Sequence, residues 1–146
     1  MNSQDNKVLK AAHDAVAAGR EAWLATVVAV HGSSPRPPGS MALFLPPASQ
    51  VGSLSGGCVE EELAASIRDG DFAPDEPALL RYGVSAEENA RLGLPCGGHL
   101  SVLLQRLQAE RDEHWLAQVV ESLDRRRVLR RHLDRRSGET AISQET

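Results

Sequence analysis

Trp23 to His31 reads W-L-A-T-V-V-A-V-H, and the fold turns on it. Apolar and β-branched residues follow one another with too little alternation for a strand that faces water on one side. The run therefore reads as a strand buried on both faces. Such a strand needs cover above and below, and helices supply it in a small α/β domain. The expected architecture is a single small α/β domain with a mixed sheet flanked by helices, followed by a C-terminal helix and a short β-hairpin appendage.

The flanking sequence supplies the other elements. Upstream, Val8, Ala11, Ala12, Ala15 and Val16 recur at helical spacing, and Gly19 stands where a helix would be capped. Downstream, H-G-S-S-P-R-P-P-G carries too much proline and glycine for regular structure, so Gly32 to Gly39 reads as a stiff loop. Met41 to Pro46 predicts a second strand and V-G-S-L-S, from Val51, a short third one. From Cys58, the residues Val59, Leu63 and Ile67 repeat every four positions, giving a one-faced helix that stops at Asp69 and Gly70. A-L-L-R-Y predicts a fourth strand, S-A-E-E-N-A-R-L a short helix, and L-S-V-L-L-Q-R-L a further strand. Trp115, Val119 and Leu123 mark a last helix. Two short strands around an Asp-to-Gly turn close the chain.

Composition removes several function classes. The chain has 146 residues, 3% of them aromatic, too few for a stacking surface along single-stranded nucleic acid. Up to Asp124 nine Lys and Arg stand against seventeen Asp and Glu, while the last 22 residues hold seven Arg and three acids. A net acidic body argues against a nucleic-acid-wrapping domain. The basic tail reads as a solvated strand pair or an interface. The polar N-terminus has no secretory core, and no apolar run is long enough to span a membrane. These features point to a cytoplasmic protein with no nucleic-acid or membrane partner. In a reducing compartment its two cysteines, 38 positions apart, read as packed residues or working thiols rather than a disulfide.

Three small-residue segments carry the chemistry. In G-S-L-S-G-G-C-V-E, Ser55 is placed to cap a helix whose first turn holds Gly56, Gly57 and Cys58, where free backbone N–H groups suit an anion. The same position lowers a thiol pKa, whereas Glu61 and Glu62, three and four residues on, raise it again. Cys58 packed as a small apolar residue is the plain alternative. In L-G-L-P-C-G-G-H, fixed backbone before Cys96 and bare backbone at Gly97 and Gly98 would present the sulfur at a loop tip; a tight turn with a buried cysteine is the alternative. Ser33, Ser34 and Arg36 add two hydroxyls and a guanidinium suited to phosphate; a plain surface arginine in a stiff loop is the alternative. Histidine and cysteine spacing matches no zinc site, and neither G-x-G-x-x-G nor G-x-S-x-G occurs.

Taken together, T-V-V-A-V-H-G-S-S-P-R-P-P-G-S-M, V-G-S-L-S-G-G-C-V-E and L-G-L-P-C-G-G-H-L-S-V-L-L resemble, in order and spacing, the N-terminal domain of the XdhC/CoxI family. The resemblance runs from about Val8 to Leu107. It implies an accessory protein, not an enzyme, that binds the molybdenum cofactor, supports its sulfuration and delivers it to an apo molybdenum hydroxylase such as xanthine dehydrogenase or CO dehydrogenase. It further implies that Cys96, the cysteine of the C-G-G motif, meets the metal. The cofactor's terminal phosphate suits Ser55, Gly56 and Gly57, or Arg36. Implied partners are the apo-enzyme, a cysteine desulfurase, a separate Rossmann-domain chain and a second copy of this one. Family members typically continue into a Rossmann-type domain. Here the expectation is a domain over 1–107 and a helix-plus-hairpin tail over 108–146, the start of a linker or interaction element, with the Rossmann half absent. Pro95 also replaces the small residue expected before the cysteine.

Two rivals stand beside the carrier reading. In one, Cys96 with His99 or His31 is nucleophile and base in thiol chemistry such as sulfur transfer. In the other, the domain only makes contacts, with the tail hairpin as a dimer surface.

Overall fold

The computed structural model describes residues 3–31, 38–47, 49–54, 58–83, 99–123 and 129–144. In chain order the elements are α1 (Ser3–Ala17), β1 (Trp23–His31), β2 (Met41–Leu45), β3 (Ser49–Gly52), α2 (Cys58–Arg68), β4 (Ala78–Tyr82), β5 (His99–Arg106), α3 (Ala109–Ser122), β6 (Leu129–Leu133) and β7 (Thr140–Gln144). The segments expected to hold the S-A-E-E-N-A-R-L helix and the C-G-G turn lie outside the described residues.

The α/β architecture holds, and β1 is its centre. The five-stranded sheet has the order β3-β2-β1-β5-β4, with β6 and β7 as a separate pair. Where a mixed sheet was expected, every described pairing is antiparallel. Short connections account for the β1–β2 and β2–β3 pairs: β2 returns from β1 within ten residues, too few for the helical crossover that a parallel pair needs.

Alternation along β1 divides the core in two. Trp23, Ala25 and Val27 join Phe44, Leu100 and Val102 beneath α2, which contributes Val59, Leu63 and Ile67. Leu24 faces the other way, among Val8, Ala12 and Val16 of α1 and Trp115, Leu116 and Val119 of α3. The strand is thus covered on both sides from Trp23 to Val27, as its composition requires. Beyond Val27 an extra residue, Val28, bulges out of the β1–β5 ladder and is 46% exposed.

Both early helices end as their sequences indicate. Gly19 N–H donates to Val16 and Arg20 N–H to Ala15; Gly70 and Asp71 repeat the pattern on Ile67 and Ser66. These paired bonds are the Schellman arrangement, which satisfies the last carbonyls of a helix. The third strand is displaced from its expected place: it spans Ser49–Gly52, earlier than Val51–Ser55. Pairing of Leu45 with Ser49 across a tight Pro46–Pro47 turn sets that register.

The C-terminal helix and hairpin form where expected, and the hairpin is tied down. Arg131 of β6 donates to Thr26 Oγ1 of β1 at 2.8 Å and lies over the Trp115 ring, 5.6 Å from its centre. Leu129 and Ile142 pack against the α1/α3 cluster.

Candidate functional site

Sheet direction decides where the three small-residue segments begin and end. In an antiparallel sheet alternate connections leave from opposite ends. β1 ends at His31, β3 at Gly52 and β4 at Tyr82, while β2 begins at Met41 and β5 at His99; the register puts all of these at one end of the sheet. Segments 32–37, 55–57 and 84–98 therefore all attach to that end. The opposite end carries the Pro46–Pro47 turn and the approaches to β1, β4 and α3.

The attachment points are not level. Gly52 pairs with Ala42, and Ala42 with Ala25, whereas His31 pairs with His99 at the tip. Five rungs of ladder separate these levels, roughly 17 Å at strand rise. The tip belongs to β1 and β5, with Tyr82 of β4 one rung below beside Leu100. The two histidines thus oppose each other where the Pro-rich segment departs and the segment holding Cys96 arrives.

Of the residues proposed to bind the cofactor, Cys58 falls within the described elements and opens α2, while His31 and His99 of the thiol-chemistry reading end β1 and begin β5. Ser33, Ser34, Arg36, Ser55, Gly56, Gly57, Cys96, Gly97 and Gly98 lie outside the described residues. The glutamates following Cys58 divide in a way that spacing to the thiol does not reveal. Glu61 is exposed and Glu62 half-buried, but Glu60 is only 3% exposed. Ser53 Oγ donates to Glu60 Oε2 at 3.2 Å, a bond that joins the two ends of the 55–57 segment. The overlooked signal was Glu60's own position, three and seven residues before Leu63 and Ile67, which puts it on the buried stripe. A carboxylate in the first turn of a helix also complements the free N–H groups there.

Other surface features sit elsewhere. One cavity lies between the Pro46–Pro47 turn and Ala64, Ile67 and Arg68 of α2; another is lined by Arg20, Glu21, Asp75, Arg106 and Gln108. Both are at the end of the sheet away from the three segments. Among the described residues no group of three or more His, Cys, Asp or Glu is placed to hold a metal ion. No described helix is long and apolar enough to cross a membrane.

Comparison with known proteins agrees with the motif pattern. Residues 15–83 match the XdhC and CoxI family. A curated relative from Bacillus subtilis (strain 168), described as a probable subunit of xanthine dehydrogenase, is 36% identical over 98 residues, covering 65% of this chain and 29% of the relative. The molybdenum cofactor insertion chaperone PaoD of Escherichia coli (strain K12) is 30% identical over 109 residues, covering 70% of this chain and 31% of PaoD. The chain thus spans about a third of the length of these relatives. Among solved structures, that of a xanthine dehydrogenase from Bacillus halodurans superposes with a TM-score of 0.74 at 27% identity, covering 97% of this chain and 43% of that one.

Proposed function

From the premise that this chain carries XdhC and CoxI family sequence, we propose that it is an accessory protein for a molybdenum hydroxylase, holding the molybdenum cofactor as cargo for insertion into the apo-enzyme. The observation that carries the reading is topological. Three segments rich in small residues attach to one end of one sheet, and one of them holds Cys96 while another precedes the first turn of α2. A ligand with an anionic group at one extremity and a thiophilic metal at the other suits attachment points at two heights.

In this reading Ser55, Gly56 and Gly57 take the phosphate against the N-terminus of α2, with Ser33, Ser34 and Arg36 above them. Cys96, beside Gly97 and Gly98, offers a soft sulfur to the metal. Cys58, at the start of α2, borders the phosphate position. Ser53 and Glu60 keep the helix start fixed, so that its N–H groups need no rearrangement when cargo arrives. The apo-hydroxylase is the receiving partner. Similarity to PaoD, whose name describes cofactor insertion, supports the direction of transfer.

The test is purification from a cofactor-producing host, with molybdenum measured by mass spectrometry and pterin by fluorescence. Wild type is expected to carry both. Cys96→Ser is expected to lose most of the metal and retain part of the pterin. If neither copurifies with wild type, and added cofactor is not retained, the carrier reading fails.

The pairing of His31 with His99 favours one second reading. Two histidine positions meet where the Cys96 segment enters the sheet, as a cysteine-dependent sulfur-transfer site would require. It predicts a thiol pKa well below ~8.5 in iodoacetamide kinetics, against ordinary reactivity for a carrier.

A further inference from the structure

The larger of the two cavities at the far end of the sheet has walls rich in charge. It spans about 380 Å³ and is open to solvent. Several parts of the chain meet there. Arg20 and Glu21 lie between α1 and β1, Arg106 closes β5, Gln108 and Ala109 lead into α3, and Asp75 comes from the connection between α2 and β4.

The charged groups in this lining are not equivalent. Glu21 Oε2 accepts the Trp23 Nε1–H at 2.9 Å, and Asp75 Oδ1 accepts from Gln108 Nε2 at 3.3 Å, which also donates to the Pro74 carbonyl at 3.4 Å. These bonds orient both carboxylates and still leave each with lone pairs to spare. The guanidiniums of Arg20 and Arg106, by contrast, have neither a carboxylate nor a hydrogen-bond partner among the described residues. Each presents a planar fork of N–H donors, the arrangement that recognises phosphate and carboxylate. Two such forks thus line one solvent-filled space without engaging the carboxylates that line it with them.

We infer that this cleft binds a phosphate monoester of a small polyhydroxylated molecule, a sugar phosphate in chemical class. A phosphate dianion matches the two guanidiniums, whereas a monocarboxylate would leave one of them unpaired. Glu21 and Asp75 repel a second anionic group but accept hydroxyl protons, so the uncharged end of the ligand belongs beside them. No aromatic side chain lines the cleft, so it offers no stacking face for a nucleobase. Its volume falls within the ordinary range of small-molecule sites. This site is independent of the cargo reading: it lies at the opposite end of the sheet and involves none of the small-residue segments.

The test is an NMR titration of the isotope-labelled full chain with ribose-5-phosphate. The amides of Arg20, Arg106 and Ala109 are expected to shift saturably, while inorganic phosphate and unphosphorylated ribose each bind at least about tenfold more weakly. Arg106→Gln is expected to weaken the ester by about tenfold, the loss of one charged pairing. Arg20→Gln, at an exposed position where folding is not at stake, is expected to do the same. Shifts confined to other surfaces, inorganic phosphate or ribose binding as tightly as the ester, or full affinity in either arginine variant would each overturn the inference.

Discussion

Gly52 shows how much one residue can hold. It closes β3 at φ +89°, and a Cβ added there would stand 2.5 Å from the Met41 carbonyl oxygen and 2.5 Å from Val8 Cγ2. Neither neighbour is free to yield, since one is backbone and the other is packed in the α1 core. Gly52→Ala should therefore cost about 2–4 kcal/mol, from the left-handed conformation and the overlap together, measured by urea unfolding. Asp134 acts more locally. Its carboxylate accepts the N–H groups of Arg136 and Ser137 at 2.8 and 3.2 Å, which hold it below the usual aspartate range. A carboxyl depressed in the folded state stabilises above its unfolded pKa and ceases to do so as pH falls through the folded value. NMR titration should show the turn amides of Arg136 and Ser137 shifting only at acid pH, below the range of an ordinary aspartate, and not at all in Asp134→Asn. Neither residue's role was legible from composition. A glycine between Val51 and Ser53 reads as a break in any strand, and only the approach of Val8 from a distant helix gives it a further reason.

At the scale of elements, periodicity served well where an element buries one stripe. The Val8–Val16 and Val59–Ile67 patterns gave α1 and α2 directly, and Trp115, Val119 and Leu123 gave α3. The same rule failed at Glu60, because its charge concealed a position that the repeat itself marks as buried. Asp112 is the parallel case in α3: a carboxylate inside the helix's apolar stripe, made tenable by the N–H groups that surround it. Removing it leaves buried guanidinium charge uncompensated. Asp112→Ala should cost about 3–5 kcal/mol, and Trp115→Ala a similar amount through the cavity it leaves. Combining the two should cost less than the sum, because both variants release Arg131; a double-mutant cycle by denaturant unfolding measures that coupling.

At the scale of the whole molecule, sequence supplied strands but not their order. Composition identified β1 as doubly buried, yet nothing local states that β5 lies between β1 and β4. That arrangement is fixed by long-range pairing, and it alone brings the attachment points of the three small-residue segments to one end. The motifs gave the family resemblance and the sheet gave the attachment points. Together they predict a footprint: on binding cofactor, protection from hydrogen exchange should rise at His31, His99, Tyr82 and the first turn of α2, and remain unchanged at the Pro46–Pro47 turn.

Val28 lends itself to a last experiment. Because the ladder skips it, excising this valine would leave Val27 followed by Ala29, the same faces alternating and the same histidines opposed. What would vanish is the extra coil that a bulge puts into its strand, and with it the heading on which the chain departs toward Pro35. Such a deletion variant should melt close to the parent yet lose the cofactor retention proposed for it, offering a molecule in which architecture and grip come apart.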